Sequence, residues 1–237
     1  MGQAPPSREH LDRIAMDREE LYRCTPHEGI RVPILVMLAE VEDGVPEEAE
    51  MRQAVHGLKG GIEGGPSGIQ VKYLKGWLQE ALRETNPVTH RWQLLVRIIW
   101  KTFKDGVVPE EVAWATMVFL PKGRGEYWGI IIVKVVWKVC AMVVNCRLDR
   151  SGTLHDALHR FRAGTTTLES RLEQQLAGIA HKPLFQVFLD VRKAYDSLDR
   201  GRCMEILQGH RMGRNTAHLI SHHWDNLIFF PKAKRLL

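Results

Sequence analysis

The stretch FQVFLDVRKAYDSLDR, Phe185 to Arg200, ends an apolar run on an aspartate, Asp190, and carries a second, Asp196, six residues on. Leu184, Phe185, Val187, Phe188, Leu189 and Val191 lie together without polar alternation, as in a strand buried on both faces. A carboxylate at the end of such a strand is costly unless it is solvated, hydrogen-bonded or bound to a cation. Mg²⁺ is one solution, because it takes a few carboxylates together with phosphate oxygens and water. Two such ions can activate an attacking hydroxyl and stabilise a leaving oxygen in phosphoryl transfer. A helix N-cap or a surface ion pair would use the same aspartate without chemistry.

A second chemistry-bearing stretch is VFLPKGRGEYWGI, in which Lys122 and Arg124 sit in a glycine-rich turn between two apolar runs. Cations there can meet phosphate, Arg124 as a planar fork and Lys122 as a point charge. Lys-Gly-Arg-Gly is also ordinary turn chemistry for a solvated hairpin. His222 and His223 adjoin Trp224 on a helical pattern, where neighbouring side chains diverge, so they are not expected to share a metal ion.

The elements that would position these residues follow from pattern. PEEAEMRQAVHGLKGG opens on proline and acids and closes on glycines, as a helix does. EGGPSG is a loop. IQVKYLKGWLQEALRE and PVTHRWQLLVRIIWKTFKDG are amphipathic helices, and Trp92, Leu95, Ile98, Ile99 and Phe103 of the second mark a core face. EVAWATMVFLPKGRGEYWGIIIVK reads as two strands about the basic turn, VVWKVCAMVVNCRLDR as a buried helix, and PLFQVFLDV as a strand. TTTLESRLEQQLAGIAH, SLDRGRCMEILQGH and RNTAHLISHHWDNLI read as further helices, and Thr166 with Glu169 forms a possible capping box. Residues 1–45 are expected to form a poorly organised arm ahead of a helix-rich α+β domain over 46–237.

The ordered motifs resemble reverse transcriptases of non-LTR retrotransposon type, over roughly residues 45–237. FLDVRKAYDSLD is similar to their first catalytic motif, VFLPKGRGEYWGI to the fingers motif, LHDALHRFRAGTTTLES to the motif that follows it, and GGPSGIQVKYLKGWL to the segment ahead of the fingers. The resemblance implies a right-hand polymerase fold, as fingers and an incomplete palm. The parent reaction would be RNA-templated DNA synthesis, in which a primer 3′-hydroxyl attacks the α-phosphate of a deoxynucleoside triphosphate. Asp190 would be the catalytic, Mg²⁺-binding carboxylate, and Tyr195 would select the sugar. Lys122 and Arg124 would contact phosphate or template, and Phe161 and Arg162 would help place template and nucleotide. The partners implied are an RNA template, a DNA primer and deoxynucleoside triphosphates.

Four departures bear on activity. Trp128 stands where the fingers motif carries arginine, and an indole supplies no cationic fork. Arg160 stands where the following motif has glycine, and RAGTTT lacks that motif's Gly-Arg-Gly. The 237 residues contain no Asp-Asp pair, the element of the Tyr-x-Asp-Asp hairpin that supplies the second catalytic carboxylate. The expectation is a fragment truncated before that hairpin and inactive as an isolated chain; the alternative is a non-catalytic nucleic-acid-binding remnant.

Bulk properties agree without deciding. Net charge is +5 and the pI about 9.1, a mild basic excess compatible with a polyanionic partner. Cys24, Cys140, Cys146 and Cys203 form no CxxC and read as reduced thiols of an intracellular protein. The N-terminus shows no signal-peptide core and no myristoylation pattern. GIIIVKVVWKVCAMVV is broken by Lys134 and Lys138, so no membrane span is expected.

Overall fold

The computed structural model describes residues 41–61, 64–83, 90–123, 126–152 and 198–232, with Glu9 and a few helical positions between 172 and 180. Across these residues it is a helix-rich α+β structure. In chain order the elements are α1 (Glu48–Gly57), a 3₁₀ turn (Gly65–Ser67), α2 (Val71–Arg83), α3 (His90–Asp105), a helical turn (Glu110–Ala113), β1 (Trp114–Gly123), β2 (Glu126–Val133), α4 (Val135–Arg150), α5 (Arg200–Gly209), α6 (Arg214–Asp225) and β3 (Ile228–Lys232).

Helix α1 begins where expected, with Glu47 and Glu50 forming a reciprocal capping box and Glu48 adding negative charge to the first turn. The apolar stripes of α1 to α4 meet in one core. Met51, Val55, Leu74, Leu78, Trp92, Ile99, Phe103, Val139 and Val143 are all buried in it. Of the five positions expected to mark the core face of α3, Trp92, Leu95, Ile99 and Phe103 are buried and Ile98 is half-buried. The indole N–H of Trp92 donates to Glu48 Oε1 at 3.0 Å, which satisfies its one polar atom inside the core.

Helix α4 is the buried helix the sequence suggests, and it buries a cation as well. Arg147 is fully enclosed, and its guanidinium forms a fork with Glu50, Nε–Oε1 at 3.1 Å and Nη2–Oε2 at 2.7 Å. Its Nη1 donates to the carbonyls of Glu42, at 3.2 Å, and Gly44, at 2.7 Å. The guanidinium also lies over the Phe103 ring, 5.5 Å from its centroid.

The arm expected over residues 1–45 therefore has a structured end. Val41 is buried and bridges Met212 in parallel, and residues 42–44 serve two helices. Asp43 reaches the N-terminus of α6, where its carboxylate accepts the amide N–H groups of Asn215 at 3.0 Å and Thr216 at 2.7 Å. The N-cap residue itself is Gly213, which has no side chain to offer, and the Asp43 carboxyl fills the space a Cβ there would occupy. The cap is supplied from 170 residues away in the chain, doing the job usually done by Ser, Thr or Asp in place. We expect Asp43→Gly to cost about 1–2 kcal/mol. Gly213→Ser alone should also destabilise, by collision with Asp43. Combining Asp43→Gly with Gly213→Ser should recover most of the loss, because the serine then caps in place. Urea midpoints of the four proteins test this; an additive double mutant would sink it.

The sheet has the order β2-β1-β3. Strands β1 and β2 form the expected antiparallel hairpin, with Ala115 opposite Val133 and Leu120 opposite Trp128. Two boundaries differ from the sequence reading. Glu111 to Ala113 belong to a helical turn with Pro109 at its N-cap and acids in its first turn, not to the strand. The last helix stops at Asp225, and Ile228–Lys232 runs parallel to β1, with Trp114 opposite Ile228 and Thr116 opposite Phe230.

Candidate functional site

The hairpin carries the described part of the expected site. Period-two alternation and the pairing register divide the sheet into two faces. Met117, Phe119, Tyr127, Ile131 and Phe229 form a small cluster on one of them. The other holds Leu120, Trp128, Ile130, Ile132, Ile228 and Phe230. Trp128 and Phe230 are exposed there, at 55% and 51%, on either side of β1. The sequence marks Trp128 as a departure from a motif. It does not show that the indole shares a face with an aromatic 102 residues later, because that follows from a parallel pairing no local pattern encodes.

Lys122 is exposed near the tip of β1, beside the register irregularity between Pro121 and Gly123. At the root of the hairpin, Lys134 caps α4 and donates to the carbonyl of Glu111, while its ammonium lies 5.2 Å from the Trp114 ring centroid. Burial lowers the pKa of Lys134, and the charge of Glu111 opposes that shift. The GGPSG loop packs against the same root. Gly65, at φ +66°, lies so close that a Cβ would come within 2.8 Å of the Val133 carbonyl oxygen. The GGPSG loop and the hairpin are thus one structural unit.

Of the residues assigned by resemblance, Lys122 alone falls among the described residues. Arg124, Phe161, Arg162, Asp190 and Tyr195 lie outside them, as do Arg160, Asp196 and the expected strand PLFQVFLDV. Among the described residues, no group of three or more His, Cys, Asp or Glu side chains could hold a metal ion. No described helix is long and apolar enough to cross a membrane. Cys140, Cys146 and Cys203 are free thiols, and burial pushes Cys140 up to about 12, which makes it an inert core residue.

The adjacent histidines diverge as expected. His222 Nδ1 accepts the Val108 amide at 3.3 Å, whereas His223 is buried and stacks on Trp137, with ring centroids 3.7 Å apart. Nδ1 of His223 is buried without a hydrogen-bond partner. Burial lowers its pKa to about 4, helped by the charges of Arg200 and His222. A histidine held below its ordinary value of 6.5 is protonated first in the unfolded chain. Its stabilising share is therefore complete above about pH 6.5 and falls away as the pH drops towards 4. We expect His223→Phe, which retains the stack, to remove the loss of stability between pH 6.5 and 4. Denaturant midpoints across that range check it; an unchanged acid limb would count against a buried neutral imidazole.

No protein-family model and no curated protein matches this chain.

Proposed function

We propose that the chain is the fingers and first part of the palm of a reverse transcriptase of non-LTR retrotransposon type, inactive as an isolated chain, with its hairpin turn directed at nucleic-acid or nucleotide phosphate. The observation that carries the reading is the union of two motifs in space. The GGPSG segment and the LPKGRGEYWGI segment resemble consecutive parts of that family, and the 3₁₀ turn of the first abuts the hairpin built by the second. Lys122 near the tip supplies one exposed cation to that turn, and Arg124 supplies another in the sequence.

Inactivity rests on the donor set. One carboxylate, Asp190, is assigned to Mg²⁺, and a lone carboxylate with water is too few protein ligands for a two-ion site. When bound in a complete site the ions would activate the primer hydroxyl and stabilise the leaving oxygen; this chain's own groups would bind and orient phosphate. Trp128 in place of the cationic fork weakens triphosphate binding further. Metal-dependent primer extension by the purified chain, abolished by Asp190→Ala, would overturn the inactivity.

The second reading is a nucleic-acid-binding remnant without chemistry, favoured by the exposed indole of Trp128 at the arginine position. It requires salt-dependent RNA or DNA binding that ignores both Mg²⁺ and Asp190→Ala. Weakening of that binding by Lys122→Gln would assign it to the hairpin.

A further inference from the structure

Helix α3 commits its apolar face to the core, yet its opposite face is not neutral. Arg97, Lys101 and Lys104 recur at helical spacing on the solvent side and are all exposed. Among the described residues none of the three has an ion-pair or hydrogen-bond partner. The helix contains a single acid, Asp105, at its last position. Trp100 lies on the edge of the same face, between Arg97 one turn before and Lys104 one turn after. It remains 44% exposed, and its indole N–H is already satisfied by the Pro46 carbonyl at 2.8 Å. The indole is thus held in place with much of its surface open to solvent.

We propose that this outer face of α3 is a track for single-stranded nucleic acid: Arg97, Lys101 and Lys104 contact backbone phosphates, and Trp100 stacks on a base. At about 1.5 Å rise per residue the three cations span roughly 10 Å, the reach of a few nucleotides. Cations interleaved with an open aromatic ring are what a sequence-tolerant single-strand surface needs. A membrane surface fits less well, since Trp92, Ile99 and Phe103 are buried in the protein and the outer face offers lipid Leu94 and Trp100 rather than a continuous apolar stripe. The track is separate from the hairpin and does not depend on the polymerase reading.

The test is fluorescence anisotropy of a labelled 20-nucleotide oligo(dT) with the full chain, titrated between about 50 and 200 mM salt. The triple variant Arg97→Gln, Lys101→Gln, Lys104→Gln should flatten the slope of log K against log[salt] by about 2, since each phosphate contact to a single strand contributes about 0.7. Trp100→Leu should weaken binding about tenfold at fixed salt, and Trp100→Phe, which restores a ring, should recover much of that loss. Circular dichroism establishes that each variant is folded. An unchanged slope in the folded triple variant overturns the proposal; if Lys122→Gln flattens it instead, the hairpin reading stands alone. The reverse pattern supports the track and removes the phosphate role of Lys122. Wild-type chain that ignores the oligonucleotide, or that binds phosphatidylserine vesicles in its place, also overturns it.

Discussion

Arg147→Met should destabilise the chain by about 3–5 kcal/mol, the cost of leaving a buried charge without its partner. That is comparable with the whole stability of many domains. The guanidinium touches no solvent and closes a fork on Glu50, while its remaining donors hold the carbonyls of Glu42 and Gly44. Removing it strands a carboxylate that is itself 11% exposed, and strands the two carbonyls with it. Arg150 also pairs with Glu50, but at the surface, so it offsets only part of the loss.

The same cluster sets an acid limit. Burial raises the pKa of Glu50, but the hydrogen bonds from Arg147 and Arg150 outweigh it and hold the carboxyl at about 2. The folded value lies below the ordinary 4.5, so the stabilisation is complete above about pH 4.5 and is lost as the pH falls towards 2. Glu50→Gln should flatten that limb and lower stability at neutral pH. Denaturant midpoints read both effects. A loss under about 1 kcal/mol for Arg147→Met would show that the fork is not a structural anchor.

This anchor illustrates what the sequence conceals. In VVWKVCAMVVNCRLDR the helix is legible from its length and apolar content, but Arg147 looks like a solvated cation near a helix end. Its partner lies 97 residues earlier, and nothing local pairs them. The tie of residues 41–45 to α4 and α6 is hidden for the same reason, because carbonyls and a distant carboxylate carry it. Helices α1 to α3 and the hairpin were legible because each has a period and its own stop signals: prolines and acids at a start, glycines at an end or turn. Strand β3 was not. It is five residues long, contains Pro231, and borrows its register from β1, so the pattern places only Ile228 in an element, as the end of the preceding helix. The candidate site divides similarly. Its cationic turn announces itself by composition, whereas the exposed Trp128–Phe230 face exists only once β3 is paired. The cationic face of α3 is present in the sequence as a spacing, but that its three cations have no partner among the described residues is visible only in three dimensions.

The second large effect is expected in the loop that roots the hairpin. A Cβ at Gly65 would lie 2.8 Å from the Val133 carbonyl oxygen and 3.1 Å from that of Ile132, with the backbone at φ +66°. These neighbours are backbone atoms of β2, so they cannot yield by rotating a side chain. Gly65→Ala therefore carries left-handed strain of about 1–2 kcal/mol and a forced separation of loop from strand on top of it, about 3 kcal/mol in all. Gly64→Ala should be comparably severe, since its Cβ would overlap the Ile69 carbonyl. Gly68 supplies the control. Its φ is +68°, but a Cβ there meets nothing within 4 Å, so Gly68→Ala should cost only the strain, about 1 kcal/mol. Equal losses at Gly65 and Gly68 would mean that close approach to β2 contributes nothing. The ordering Gly65 above Gly68 would show that the loop is clamped to the hairpin. In that case Gly65→Ala should also weaken any phosphate binding that Lys122 provides, because the turn would lose the support that positions it.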